Sequence, residues 1–211
     1  MRIIFATISL LLIVSGCVSK PKTLPVFKGD NSLNNPAKSP EIVRLLDTAG
    51  DFRCTGTIID THYMLTAAHC VPTIVEATSL EDEPKNRAKI TLVGTLRRED
   101  IAVFTGDFSA FNVMRINMKP LPTLIALQSS LPLLACGFPH GGDIFCERLG
   151  RTQQEYFQME SEGIVFAGMS GGPVYLEDYD VLIGIITEVS ERNMVWSPTV
   201  EILKYLKIPV K

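Results

Sequence analysis

The tightest constraint on this chain is a short run late in it, Gly168-Met169-Ser170-Gly171-Gly172-Pro173, followed by the apolar Val174-Tyr175-Leu176. Glycines around a serine allow the backbone a tight, partly strained turn that brings two N–H groups toward one point. An acyl-transfer site needs that geometry: a hydroxyl nucleophile beside donors that stabilise a developing oxyanion. Alone, the run reads equally well as a β-turn. A second feature sits in the first half of the chain, where residues 41–47 and 52–59 read as strands around Thr48-Ala49-Gly50-Asp51. A third strand, residues 63–66, follows the turn at Asp60-Thr61-His62. It runs straight into Ala67-Ala68-His69-Cys70, which puts a histidine at the rigid end of a strand, beside a cysteine able to pair back to Cys54.

Taken together, Cys54-Thr55-Gly56-Thr57, Thr66-Ala67-Ala68-His69-Cys70 and Gly168-Met169-Ser170-Gly171-Gly172-Pro173 occur in the order found in the chymotrypsin-like serine proteases. The chain resembles that family over residues 41–206. The resemblance implies an all-β fold of two antiparallel six-stranded β-barrels, roughly residues 41–118 and 119–211, with the catalytic cleft between them and a short C-terminal helix. Val200, Leu203 and Leu206 have helical spacing and match that helix. It also implies His69 as general base and Ser170 as nucleophile, with the backbone N–H groups of Gly168 and Ser170 as the oxyanion hole. The third member must be an intervening carboxylate that accepts the Nδ1–H of His69 and stabilises the imidazolium. Asp100 is the candidate, because it precedes the alternating Ile101-Ala102-Val103 as the family's aspartate precedes an apolar strand. Asp107 stands in a Gly-Asp turn, and Asp82 in the acidic run Glu81-Asp82-Glu83 that suits solvent.

The chain departs from the digestive enzymes at Met169, where zymogen-activated members place an aspartate that pairs with a newly cut amino terminus. Methionine cannot form that ion pair, so the oxyanion loop is expected to assemble without proteolytic activation. By family spacing, the primary substrate pocket has Ile164 and Val165 near its base and the strand over residues 181–186 as its wall, with Thr187, Glu188 and Val189 following; Glu188 is alternatively a charge on the rim. With no acid at the base, a buried Lys or Arg would lack a partner. A small or apolar side chain before the scissile bond is therefore expected. Cys136-Gly137-Phe138-Pro139-His140-Gly141-Gly142 resembles the family's Gly-aromatic-Pro turn, with His140 a loop residue; His62 reads as turn filler.

The amino terminus carries an address. Met1-Arg2 precedes an apolar stretch over residues 3–14, and Val14-Ser15-Gly16-Cys17 follows. The stretch is shorter than the roughly 20 residues that span a bilayer, so a signal peptide over residues 1–16 is expected. Val14-Ser15-Gly16-Cys17 resembles the bacterial lipobox, which implies diacylglycerol on Cys17, a bacterial envelope location and contact with a lipid membrane; without lipidation the chain is secreted. Val18-Ser19 lacks the aspartate that favours inner-membrane retention, which points to the outer membrane. Residues 17–40, rich in Pro, Asn, Ser and Lys, read as a tether. Fully extended, the part after Cys17 reaches on the order of 75 Å at about 3.3 Å per residue.

Four cysteines remain, Cys54, Cys70, Cys136 and Cys146, and they permit three pairings. The local pairing, Cys54 with Cys70 and Cys136 with Cys146, leaves no odd thiol in an oxidising compartment. Without any Cys-x-x-Cys spacing a structural zinc is not expected, nor is a cofactor. A formal charge of −3, from 20 Lys and Arg against 23 Asp and Glu, offers no positive field for phosphate, so nucleic acid is not an expected partner. The function expected is a lipid-anchored serine endopeptidase acting on polypeptide through an acyl-enzyme. The alternative is a weakly active or inactive domain that binds a polypeptide in the same cleft.

Overall fold

Two strands of this chain, Leu133–Gly137 and Pro173–Leu176, carry no polar side chain at any position except the Tyr175 hydroxyl, because both of their faces are buried. The computed structural model describes residues 42–72, 74–78, 87–111, 115–116, 131–155, 158–176, 181–189 and 193–198. The first sheet holds β1 (Ile42–Asp47), β2 (Phe52–Ile58), β3 (Tyr63–Ala67), β4 (Ile74–Thr78), β5 (Arg87–Lys89), β6 (Thr91–Leu96) and β7 (Ile101–Thr105), in the order β5-β4-β1-β2-β3-β7-β6. A two-residue strand, β8 (Arg115–Ile116), comes next. The second sheet holds β9 (Leu133–Gly137), β10 (Phe145–Leu149), β11 (Thr152–Glu155), β12 (Gln158–Glu162), β13 (Pro173–Leu176), β14 (Val181–Val189) and β15 (Asn193–Pro198), in the order β10-β9-β13-β14-β15-β12-β11. Apart from β8, which lies parallel to β14, the pairings are antiparallel.

The ends of each sheet are halves of one chain segment. Only Ile90 separates β5 from β6, and its N–H donates to the Val75 carbonyl of β4 at 3.1 Å. The segment therefore pairs with β4 through its first half and with β7 through its second. Likewise Gly150 and Arg151 alone separate β10 from β11; the Gly150 N–H donates to the Glu162 carbonyl and the Arg151 carbonyl accepts from Glu162. Counting each split segment once, both sheets close with six strands, as the resemblance implies. Arg115 and Ile116, expected in the first barrel, pair instead with Val181 and Leu182 of the second. The expected C-terminal helix lies outside the described residues. Among the described residues no helix is long and apolar enough to cross a membrane.

Burial follows the two-residue period of a strand. On β7, Ala102 and Phe104 fill the first barrel, while Ile101 and Val103 point into a seam cluster shared with the second. On β9, Leu133 and Ala135 fill the second barrel, while Leu134 and Cys136 join the same seam. Each such strand serves a barrel interior with one face and the seam with the other, so its sequence shows no polar alternation. Trp196, fully buried in the second barrel, donates its indole N–H to Ser161 Oγ at 2.9 Å.

Candidate active site

The register of β3 against β7 brings His69 to Asp100. Ala67 pairs with Ile101 as the last rung, and the next residues of each strand meet just beyond it, where the Ala68 N–H donates to the Asp100 carbonyl at 2.9 Å. The chain then enters a single 3-10 turn, Ala68–Cys70, which presents His69. Asp100 holds that residue twice: Oδ1 accepts from the His69 backbone N–H at 2.9 Å, and Oδ2 lies 2.6 Å from Nδ1. To do so Asp100 adopts φ 51°, a left-handed conformation that aspartate tolerates better than most residues. Opposite, the Ser197 hydroxyl of the second barrel donates to the Glu99 carbonyl and fixes the turn that carries Asp100.

The Asp100 carboxylate raises the pKa of His69, first through their hydrogen bond; burial opposes the rise, and the charges of Asp100 and Glu188 reinforce it. With Nδ1 held by Asp100, Nε2 is the imidazole atom left to exchange a proton. His69, Asp100, Ser170, Thr187 and Glu188 line one open pocket of about 270 Å³.

The loop that carries Ser170 is held chiefly by its main chain. Gly168 has φ +96°, and the Met169 N–H donates to the Phe166 carbonyl at 3.1 Å, the signature of a type II turn over residues 166–169. The central peptide of that turn is pinned by the His140 N–H, which donates to the Ala167 carbonyl at 2.8 Å. Fixing the carbonyl one way turns the Gly168 N–H the other way. Among the described residues the N–H groups of Gly168 and Ser170 donate to no backbone carbonyl, which leaves both donors for an oxyanion. A side chain at Gly168 would strike the Phe138 carbonyl and the Phe52 ring, so packing and φ both require glycine there.

Three carbonyls of the loop are satisfied by β2, across the seam. Thr55 Oγ1 donates to the Gly168 carbonyl at 2.7 Å, the Thr55 N–H to the Ser170 carbonyl at 2.9 Å, and Thr57 Oγ1 to the Gly171 carbonyl at 2.9 Å. Thr55 Oγ1 also accepts from the Phe138 N–H at 3.1 Å. The sequence offers Thr55 and Thr57 only as members of the motif Cys54-Thr55-Gly56-Thr57; their clamping role appears with their full burial in the fold. His140 stands in a loop, as its sequence context implies, but its contribution is a main-chain N–H, which no side-chain pattern reveals.

Met169 is fully buried in the core of the second barrel, and Gly137 lies so close that a side chain there would overlap it. Both expected disulfides are formed, Cys54–Cys70 and Cys136–Cys146. The Cys54 and Cys70 sulfurs lie within 4.8 Å of a His69 ring nitrogen, a grouping that could hold a metal ion, but their bond to one another occupies both. Of the residues expected in the substrate pocket, Thr187 and Glu188 line the space beside Ser170, whereas Ile164, 58% exposed, and Val165 do not. Thr187 is buried, with its hydroxyl bonded to the Val195 carbonyl and to Gln158. The side chain of Val189, Asp82 and Cys17 lie outside what is described. Asp107 is occupied by Ser109, whose N–H and hydroxyl both donate to it.

A family model, the trypsin-like peptidase domain, matches residues 54–185, more than half of the chain. No curated protein matches the sequence. Among solved structures, the Rv3671c protease of M. tuberculosis in its inactive form superposes with a TM-score of 0.64 at 17% identity, over 87% of this chain and 98% of that one. The serine endoprotease from Yersinia pestis gives 0.67 at 21% identity over 82% and 65%. The HtrA-type protease AlgW with a decapeptide gives 0.62 at 16% over 82% and 66%. At these identities the likeness is one of fold, and the family match adds the chemistry: the chain belongs to the trypsin-like peptidases and is a chymotrypsin-like serine protease.

Proposed function

We propose that the chain is a lipid-anchored serine endopeptidase in which Ser170 Oγ attacks the scissile carbonyl while His69 Nε2 takes its proton. Asp100 holds the imidazole by Nδ1 and stabilises the imidazolium. The N–H groups of Gly168 and Ser170 stabilise the tetrahedral oxyanion. His69 then gives its proton to the leaving amine, and water, activated by the same imidazole, releases the acyl group from Ser170. The observation that carries this reading is one pocket lined by His69, Asp100 and Ser170 next to a turn whose Gly168 and Ser170 N–H groups donate to no backbone carbonyl among the described residues and which is held from both barrels. Burial of Met169 supports an oxyanion loop held by apolar packing, with no ion pair to a cut amino terminus. The motif Val14-Ser15-Gly16-Cys17 supports an anchor on Cys17, with the tether carrying the peptidase clear of a bacterial envelope membrane.

A fluorophosphonate probe tests the chemistry. The uncleaved, oxidised protein is expected to label, and Ser170→Ala to abolish labelling. No labelling of folded protein overturns the reading in favour of a polypeptide-binding domain; labelling only after proteolysis overturns the zymogen-independent part. Radiolabelled palmitate is expected in the wild-type protein expressed in its host and absent from Cys17→Ala, and equal incorporation defeats the anchor.

A further inference from the structure

We infer that Glu188 makes this site select polypeptides with a lysine or arginine at the second or fourth residue before the scissile bond, an inference that rests on the peptidase reading above. Strand β14 overhangs its neighbour β13. Their pairing ends at Ile185 opposite Pro173, and Gly171 and Gly172 take up the main chain of Ile186. Beyond that point Glu188 and Val189 pair only with β15 among the described residues. A free strand edge beside a nucleophile is a place for an extended peptide to add as a further strand. Successive side chains of such a peptide alternate between faces, so the second and fourth share one.

Glu188 is exposed at this edge and lines the same pocket as His69 and Ser170. The first and third side chains share one face of such a strand and the second and fourth the other, with the second and fourth assigned to the face where His69 and Glu188 line one pocket. Among the residues lining the pocket, Asp100 is committed to His69 through both oxygens. Among the described residues no Lys or Arg makes an ion pair with Glu188, so its charge is available to a substrate. An exposed carboxylate discriminates by charge without burying a cation, which distinguishes it from an acid at the base of a primary pocket. The apolar or small preference expected immediately before the scissile bond is thus compatible with a basic residue one or three positions earlier.

Cleavage of matched peptides that carry Lys, norleucine or Glu at each of these two positions tests the idea on the full chain. For the wild-type protein, kcat/KM is expected to be about three- to tenfold higher for Lys than for norleucine at one of them, shrinking as salt rises. Glu188→Gln should bring that ratio close to one, and Glu188→Lys should favour the Glu peptide. Labelling of each variant by the fluorophosphonate probe reports an intact site independently of peptide choice. A ratio near one in the wild type, or an unchanged ratio in a labelled Glu188→Gln, overturns the inference and leaves the peptidase standing. Failure of the wild-type protein to label overturns both.

Discussion

In the mechanism proposed above, His69 sets the pH response. Its raised pKa places the acidic limb of kcat/KM above the ordinary imidazole value of about 6.5, because the base acts only when neutral. The sign for stability is opposite. The charged His69–Asp100 pair contributes fully below about 6.5, and its contribution is lost as pH rises through the raised folded value. Asp100→Asn should therefore move the limb downward and reduce kcat by about 10³- to 10⁴-fold, read from a pH series on a fluorogenic peptide; an unmoved limb would show that Asp100 does not govern the imidazole. Gly168→Ala meets an unfavourable φ as well as the Phe52 ring and Phe138 carbonyl. It should reduce kcat by on the order of 10²-fold or more if the Gly168 N–H serves as the proposed oxyanion donor, with KM little altered.

Among the elements, β2 holds three carbonyls of the loop that carries Ser170. Thr55→Val keeps the shape of the side chain but leaves the Gly168 carbonyl and the Phe138 N–H without their partner. A cost of about 1–3 kcal/mol follows for a buried unsatisfied pair, measurable by urea denaturation, together with a fall in kcat because the same bond steadies the oxyanion turn. Stability lost with kcat unchanged would separate the two roles. The Cys54–Cys70 bond ties β2 to the 3-10 turn that presents His69. Replacing both cysteines by alanine should remove about 3 kcal/mol in the chain-entropy model and weaken probe labelling of Ser170.

The whole molecule unfolds as one unit if the seam is as continuous as its contacts indicate. Apolar residues of both barrels form one buried cluster, and hydrogen bonds from Thr55, Thr57 and Ser197 cross it. The single tryptophan, Trp196, lies in the second barrel, so its fluorescence reports that barrel while far-UV circular dichroism reports both. The two transitions are expected to coincide in denaturant. A fluorescence midpoint separated from the circular dichroism midpoint would show that the barrels melt independently and that the seam couples them weakly.

The sequence by itself determined what depends on local chemistry. Glycines around Ser170, a histidine at the end of a strand and an aspartate before an alternating run can be read along the chain, because each needs a particular residue type at one place. The closed six-stranded count came with the family resemblance, while the double use of the 87–96 and 145–155 segments came only from register. The tertiary structure alone decided which groups hold the site. Thr55 and Thr57 reach the Ser170 loop from more than a hundred residues away, His140 contributes a main-chain N–H rather than its side chain, and Glu188 comes to line one pocket with His69. Long-range pairing sets these contacts, and main-chain donors carry no signature in the residue names.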